Sequence, residues 1–77
     1  MKIEGMPSQF KVNMVKNSFP EGTRIEMLSM QNDPDPIPTG TKGTVKSVDD
    51  MGTLLMSWDN GRTLGVCVLE GDEVKII

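Results

Sequence analysis

Histidine and alanine are both missing from this 77-residue chain, and cysteine occurs once, as Cys67. Without His, the side chain that most often shuttles protons near neutral pH is unavailable, and so is the usual nitrogen ligand for a transition metal. A single Cys excludes an intrachain disulfide framework and His/Cys metal sites, and a reduced thiol goes with a cytoplasmic protein. Aromatic residues make up 4% of the chain, two Phe and the lone Trp58. No apolar run approaches 18 residues, and the opening Met1-Lys2-Ile3-Glu4-Gly5-Met6-Pro7 has no hydrophobic signal core, so neither secretion nor membrane insertion is expected. A domain of this size buries only about 60% of the surface its unfolded chain exposes. With 36% hydrophobic residues, most apolar side chains are committed to a core, and few are left to line a ligand cavity.

What is present begins with acidity. The net charge is −3, and it is unevenly spread. Residues 1–19 carry Lys2, Lys11 and Lys16 against Glu4, whereas residues 20–77 carry five cations (Arg24, Lys42, Lys46, Arg62 and Lys75) against ten carboxylates. Nucleic-acid affinity grows with the number of phosphates neutralised. An acidic body is therefore better matched to a protein partner with a basic surface than to a phosphate backbone.

The pattern along the chain is a loose leader over 1–7, one helix over 8–18, and strands over 19–77. Ser8 suits an N-cap, Phe10 and Met14 are spaced i,i+4, and Val15 completes an apolar stripe. Pro20 stops the helix at the residue before it, and Phe19-Pro20-Glu21-Gly22 reads as a type I turn. Strands are expected at Thr23–Ser29, Thr41–Asp49, Thr53–Trp58, Thr63–Leu69 and Val74–Ile77. Asp50-Met51-Gly52 fits a three-residue hairpin loop with a left-handed Gly, and Asp59-Asn60-Gly61-Arg62 fits a type I′ turn. Between the first two strands, Met30–Thr41 is a long excursion. Its Pro34, Pro36 and Pro38 cannot donate to a ladder, so it should be a stiff loop. Five short antiparallel strands with one long loop after the first give the order of a small SH3-like barrel, a mainly β fold with a short N-terminal α-helix.

Several blocks extend beyond a generic barrel. These are Phe19–Ile25, Leu28-Ser29-Met30 with Asn32-Asp33-Pro34, Pro38–Val45, Val48–Thr53 and Trp58–Gly65. Together and in this order they resemble a family of small uncharacterised bacterial and phage proteins, a domain of unknown function, over about residues 8–77. The resemblance implies a short helix followed by an SH3-like barrel, in a bacterial, phage or mobile-element setting. It implies no chemistry. Gly40–Val45 is also similar to the KOW-type segment of ribosomal and transcription-factor barrels.

Each reactive group has a structural role that accounts for it. Cys67 lies in Val66-Cys67-Val68 with no His to activate it, so it reads as a strand thiol. The span Asp59–Glu70 has the length of a Ca²⁺-binding EF-hand loop, but Leu64 stands where Gly is required. No glycine-rich phosphate loop occurs. A lone exposed Trp in an SH3-like groove anchors peptides, but the alternation of Trp58 with Leu54 and Met56 puts it on their face, in the core. No enzyme, metal or cofactor is expected.

The expected function is therefore a protein-binding accessory module. Its partner would be protein with a basic surface, and an inhibitor of a bacterial defence nuclease, such as an anti-CRISPR protein, is its sharpest form. Long loops on rigid scaffolds carry contacts, so the candidate partner-binding residues are Met30, Gln31, Asn32, Asp33, Asp35 and Ile37, with Asp50 and Met51 of the neighbouring hairpin and the helix beside them. The alternatives are a nucleic-acid-binding barrel using Arg24, Lys42, Lys46, Arg62 and the N-terminal lysines, and a homo-oligomer packed through the helix.

Overall fold

A computed structural model describes residues 8–77, so the expected leader over 1–7 lies outside the described residues. Helix α1 (Gln9–Ser18) is followed by β1 (Arg24–Ser29), β2 (Lys42–Val48) and β3 (Leu54–Trp58). A short 3₁₀ turn (Val68–Glu70) then leads into β4 (Glu73–Ile76). The strands form an antiparallel sheet in the order β3-β2-β1-β4. The sheet is open, with β3 and β4 as its edges. Among the described residues the strand expected at Thr63–Leu69 is absent, so four strands form an open sheet where a five-stranded barrel was expected, and the fold is a mainly β domain with one N-terminal helix.

The helix starts and stops where its local chemistry dictates. Ser8 is extended and its Oγ accepts a hydrogen bond from the Lys11 N–H at 3.2 Å, which satisfies one of the unpaired donors of the first turn. Phe19 closes the last turn onto the Val15 carbonyl at 3.0 Å, and Pro20 follows. The buried stripe differs from expectation: Val12 and Val15 face the sheet, while Phe10 is 73% and Met14 54% exposed. Residues two apart on a helix point about 200° away from each other. A helix with apolar residues at 10, 12, 14 and 15 thus carries two competing stripes. The one that aligns Val12 and Val15 with the half-buried Phe19 docks, and the Phe10/Met14 pair is left in solvent.

Turns follow the expected positions with two corrections. The Pro20 turn closes one residue later than expected, with the Thr23 N–H donating to the Pro20 carbonyl at 3.1 Å. The hairpin at residues 49–53 is as read: Gly52 has φ +80°, and the Asp49 carboxylate accepts from the N–H groups of Met51 and Thr53 at 2.9 Å each. The Asp59-Asn60-Gly61 turn is not type I′, which requires positive φ at both central residues. Only Gly61 has it. The Trp58 N–H bonds to the Arg62 carbonyl at 2.9 Å, so this is a second three-residue loop, steadied by an Asn60 Oδ1 contact to the Arg62 N–H at 3.0 Å.

The core gathers Val15, Ile25, Met27, Val45, Leu54, Met56, Trp58 and Val66 under the sheet, with Met30 and Ile37 reaching in from the long loop. Trp58 is buried, as its alternation with Leu54 and Met56 implied. Its ring lies against Gly43 of β2, where an added Cβ would fall 2.7 Å from the indole.

Candidate functional site

The 3₁₀ turn exists because residues 63–69 fail to become a strand. Leu54 and Val66 exchange both backbone hydrogen bonds, at 2.8 and 3.0 Å. The next pair along, Met56 with Leu64, makes none, and the Leu64 carbonyl instead accepts the Trp58 indole N–H at 2.8 Å. Beyond Val66, the Asp72 carboxylate takes the Cys67 N–H at 2.9 Å, and the Glu70 N–H turns back to the Cys67 carbonyl at 2.9 Å. Side-chain acceptors and donors have thus replaced ladder partners at two points. The chain rolls into a single turn rather than running on along β3.

That turn separates two surface features. On one flank is a crevice of about 90 Å³ between the long loop and the turn. Asn32 and Asp33 line it from the loop, Cys67, Glu70 and Asp72 line it from the other wall, and Met30 lies at its floor. The Asn32 side-chain amide donates to the Glu70 carbonyl at 3.4 Å, tying the two walls together. Among the described residues, none of the four ion pairs involves Asp33, Glu70 or Asp72, and no three His, Cys, Asp or Glu side chains converge to hold a metal ion. The crevice is therefore an acidic recess with room for a side-chain head group. Cys67, half-buried in its wall, has its sulfur 3.8 Å from the Thr53 hydroxyl.

On the other flank is a shallow groove of about 440 Å³ between α1 and the turn. Lys11, Met14, Val15 and Ser18 line it from the helix, Phe19 from the helix C-cap, and Val68 and Leu69 from the turn. Leu69 is 37% exposed and packs close to Gly52. Phe10 extends the apolar surface one helical turn beyond Met14. The helix carries Lys11 and Lys16 and no carboxylate; Lys16 pairs with the exposed Asp50 at 3.6 Å, and Lys11 enters no ion pair among the described residues.

The match to a family model covers residues 8–77, and its description is a domain of unknown function (DUF4314). The chain belongs to this family. No curated protein and no solved structure matches the chain.

The residues expected to contact a partner are scattered by the fold. Met30 and Ile37 are buried, where the Ile37 N–H donates to the Met30 sulfur at 3.4 Å. They anchor the loop to the core and are not free for a partner. Asn32 and Asp33 reach the crevice, Gln31 is exposed beside it, and Asp35 is turned to Arg62. Arg62 also donates to the Asp35 and Pro36 carbonyls at 2.7 and 3.1 Å, fastening the loop to the 59–61 turn. Asp50 and Met51 are exposed, and their hairpin and the long loop touch consecutive residues of the 3₁₀ turn, Gly52 against Leu69 and Asn32 against Glu70. Sequence reasoning missed Glu70, Asp72 and Leu69 as site residues: Leu69 reads as the end of an expected strand, and Glu70 and Asp72 as the polar turn after it.

The cations named for nucleic acid are partly engaged. Arg24 grips Asp59 with two hydrogen bonds at 2.8 and 2.7 Å. That pairing lowers the Asp59 carboxyl below the ordinary range and raises the guanidinium, in both cases chiefly through the hydrogen bond. On the outer sheet face, Lys42 and Lys75 flank Glu26 across neighbouring strands. Among the described residues, no helix is long and apolar enough to cross a membrane.

Proposed function

We propose that this chain is a non-enzymatic protein-binding module of SH3-like descent, working in the cytoplasm as an accessory protein of a bacterium, phage or mobile element. The strand order supports that descent. The last strand pairs with the first, the long loop joins the first two, and the bridge at Val66 stands where a fifth strand would close the barrel. One observation carries the binding reading: a single 3₁₀ turn sets an acidic recess beside an apolar groove. Such a surface fits a protein that offers a Lys or Arg next to apolar side chains. The cation enters between Asp33 and Glu70, and the apolar groups cover Leu69 and Met14. Charge sets the orientation and speeds encounter, and apolar burial supplies affinity. A nucleic-acid-handling host protein, a defence nuclease among them, is one source of such a surface. The nucleic-acid reading has less support, since Arg24 and Arg62 are held by the chain's own carboxylates.

The test is an NMR titration of ¹⁵N-labelled protein with a peptide of alternating Arg and Leu. Amide shifts should concentrate at Asn32, Asp33, Leu69 and Glu70, and should vanish in the Asp33→Lys/Glu70→Lys variant. Shifts spread over other faces, or unchanged by the charge reversals, overturn the reading.

A further inference from the structure

The face around the 3₁₀ turn is ordered by charge. At one side stands Lys11 of α1, in an element without a carboxylate. The middle is apolar, with Met14, Leu69 and Phe10 each more than a third exposed. At the other side lie Glu70 and Asp33 at the crevice. A two-fold contact uses the same patch twice, so that residue i meets j and j meets i. A patch with a cationic flank, an apolar centre and an anionic flank satisfies that condition. Half a turn about an axis through the centre lays apolar on apolar and each Lys11 flank on the other copy's Glu70 flank.

We propose that the partner of this surface is a second copy of this chain, forming a symmetric dimer in which Lys11 of each copy enters the acidic crevice of the other. The inference rests on the protein-binding reading and names its partner. A foreign basic protein answers the crevice and the apolar middle but leaves Lys11 without a carboxylate partner. The second copy alone among these partners answers both flanks at once. Dimerisation also removes Phe10 and Met14 from water, which explains how so small a chain tolerates two large apolar side chains on one exposed helix face.

The test is sedimentation of the full chain from micromolar to millimolar concentration. A species of twice 8.5 kDa is expected to appear as concentration rises. Met14→Asp should abolish it. Lys11→Glu and Glu70→Lys should each weaken association on the order of tenfold, because a surface pair is lost twice in a symmetric contact. The combined Lys11→Glu/Glu70→Lys chain should recover most of that loss. All these positions are exposed, and circular dichroism confirms that each variant folds. A chain that stays monomeric while the Arg/Leu peptide still shifts the crevice amides overturns the dimer and leaves the binding reading in place. Monomer with no peptide binding removes both. A dimer indifferent to the charge variants, or not rescued by the combined swap, overturns the proposed pairing.

Discussion

Residues 53–58 and 63–69 look alike in sequence, and they end differently. Both alternate apolar with polar residues, both follow a tight turn, and both contain β-favouring side chains. The first becomes β3, with Leu54, Met56 and Trp58 buried in strict alternation. The second makes one bridge to β3 and then turns away. What separates them is competition for backbone groups. In β3 the ladder to β2 has no rival. In 63–69, the Trp58 indole holds the Leu64 carbonyl and the Asp72 carboxylate holds the Cys67 N–H. A segment whose partners are taken by side chains does not zip into a sheet, however well it alternates.

The difference in packing should be large. Leu54→Ala removes a fully buried side chain from the centre of the core and should cost about 2–5 kcal/mol. Leu64→Ala, at the matching position of the failed strand and only partly buried, should cost less than half as much. Urea unfolding of the two variants measures the contrast, and equal losses would mean that the two segments pack alike after all.

Trp58→Phe tests the competition itself. It keeps most of the ring but deletes the indole donor, and a loss of about 1–3 kcal/mol follows from the vacated volume and the lost hydrogen bond. By the two-residue period of the ladder, the Met56 N–H points to the same side as that of Leu54. With the indole gone, the Leu64 carbonyl is free to receive it. Hydrogen exchange at Met56 should slow relative to the global unfolding rate; no slowing would show that the indole does not hold the strand open.

Asp72→Ala should be smaller again, about 0.5–1.5 kcal/mol, because the bond to Cys67 is half exposed. Its sharper consequence is local. The Cys67 and Glu70 amides should exchange faster and the walls of the crevice should loosen, while β3 keeps its protection. Unchanged exchange at Cys67 would remove Asp72 as the organiser of the turn.

The smallest effect belongs to the Arg24–Asp59 pair. The folded-state carboxyl lies below its unfolded value, so the pair's stabilisation is fully present above the ordinary carboxylate range. It is lost as pH falls through the lowered value. Both groups are exposed, so the change should be slight. Comparing the pH dependence of Tm for wild type and Asp59→Asn should show a shallower acid-side decline in the variant. Parallel curves would count against any contribution.

Local signals were legible wherever their cause lies within about four residues. Ser8 and Pro20 bracket the helix, Gly52 and Asp49 make the first hairpin, and Trp58 follows the phase of Leu54 and Met56 into the core. The expected type I′ turn does not form for a reason equally local: Asn60 spends its side chain on the Arg62 N–H and keeps a negative φ. The candidate site was only half visible. Asn32 and Asp33 stood out on a long loop, but Met30 and Ile37 on the same loop are its anchors, and Glu70 and Asp72 read only as a polar connecting turn.

The chain's composition and spacing alone determined that His-based chemistry is excluded, where the helix begins and ends, and which residues of β1 and β3 face inward. Those outcomes depend on side-chain identity, capping and a two-residue period, all properties of short stretches. Tertiary structure decided which of two apolar helix stripes is buried, whether residues 63–69 join the sheet, and that Asp33 lies across a crevice from Glu70 while Lys11 and Met14 flank the same turn. These are choices between alternatives of nearly equal local merit. They are settled by which distant group reaches a carbonyl or fills a gap first.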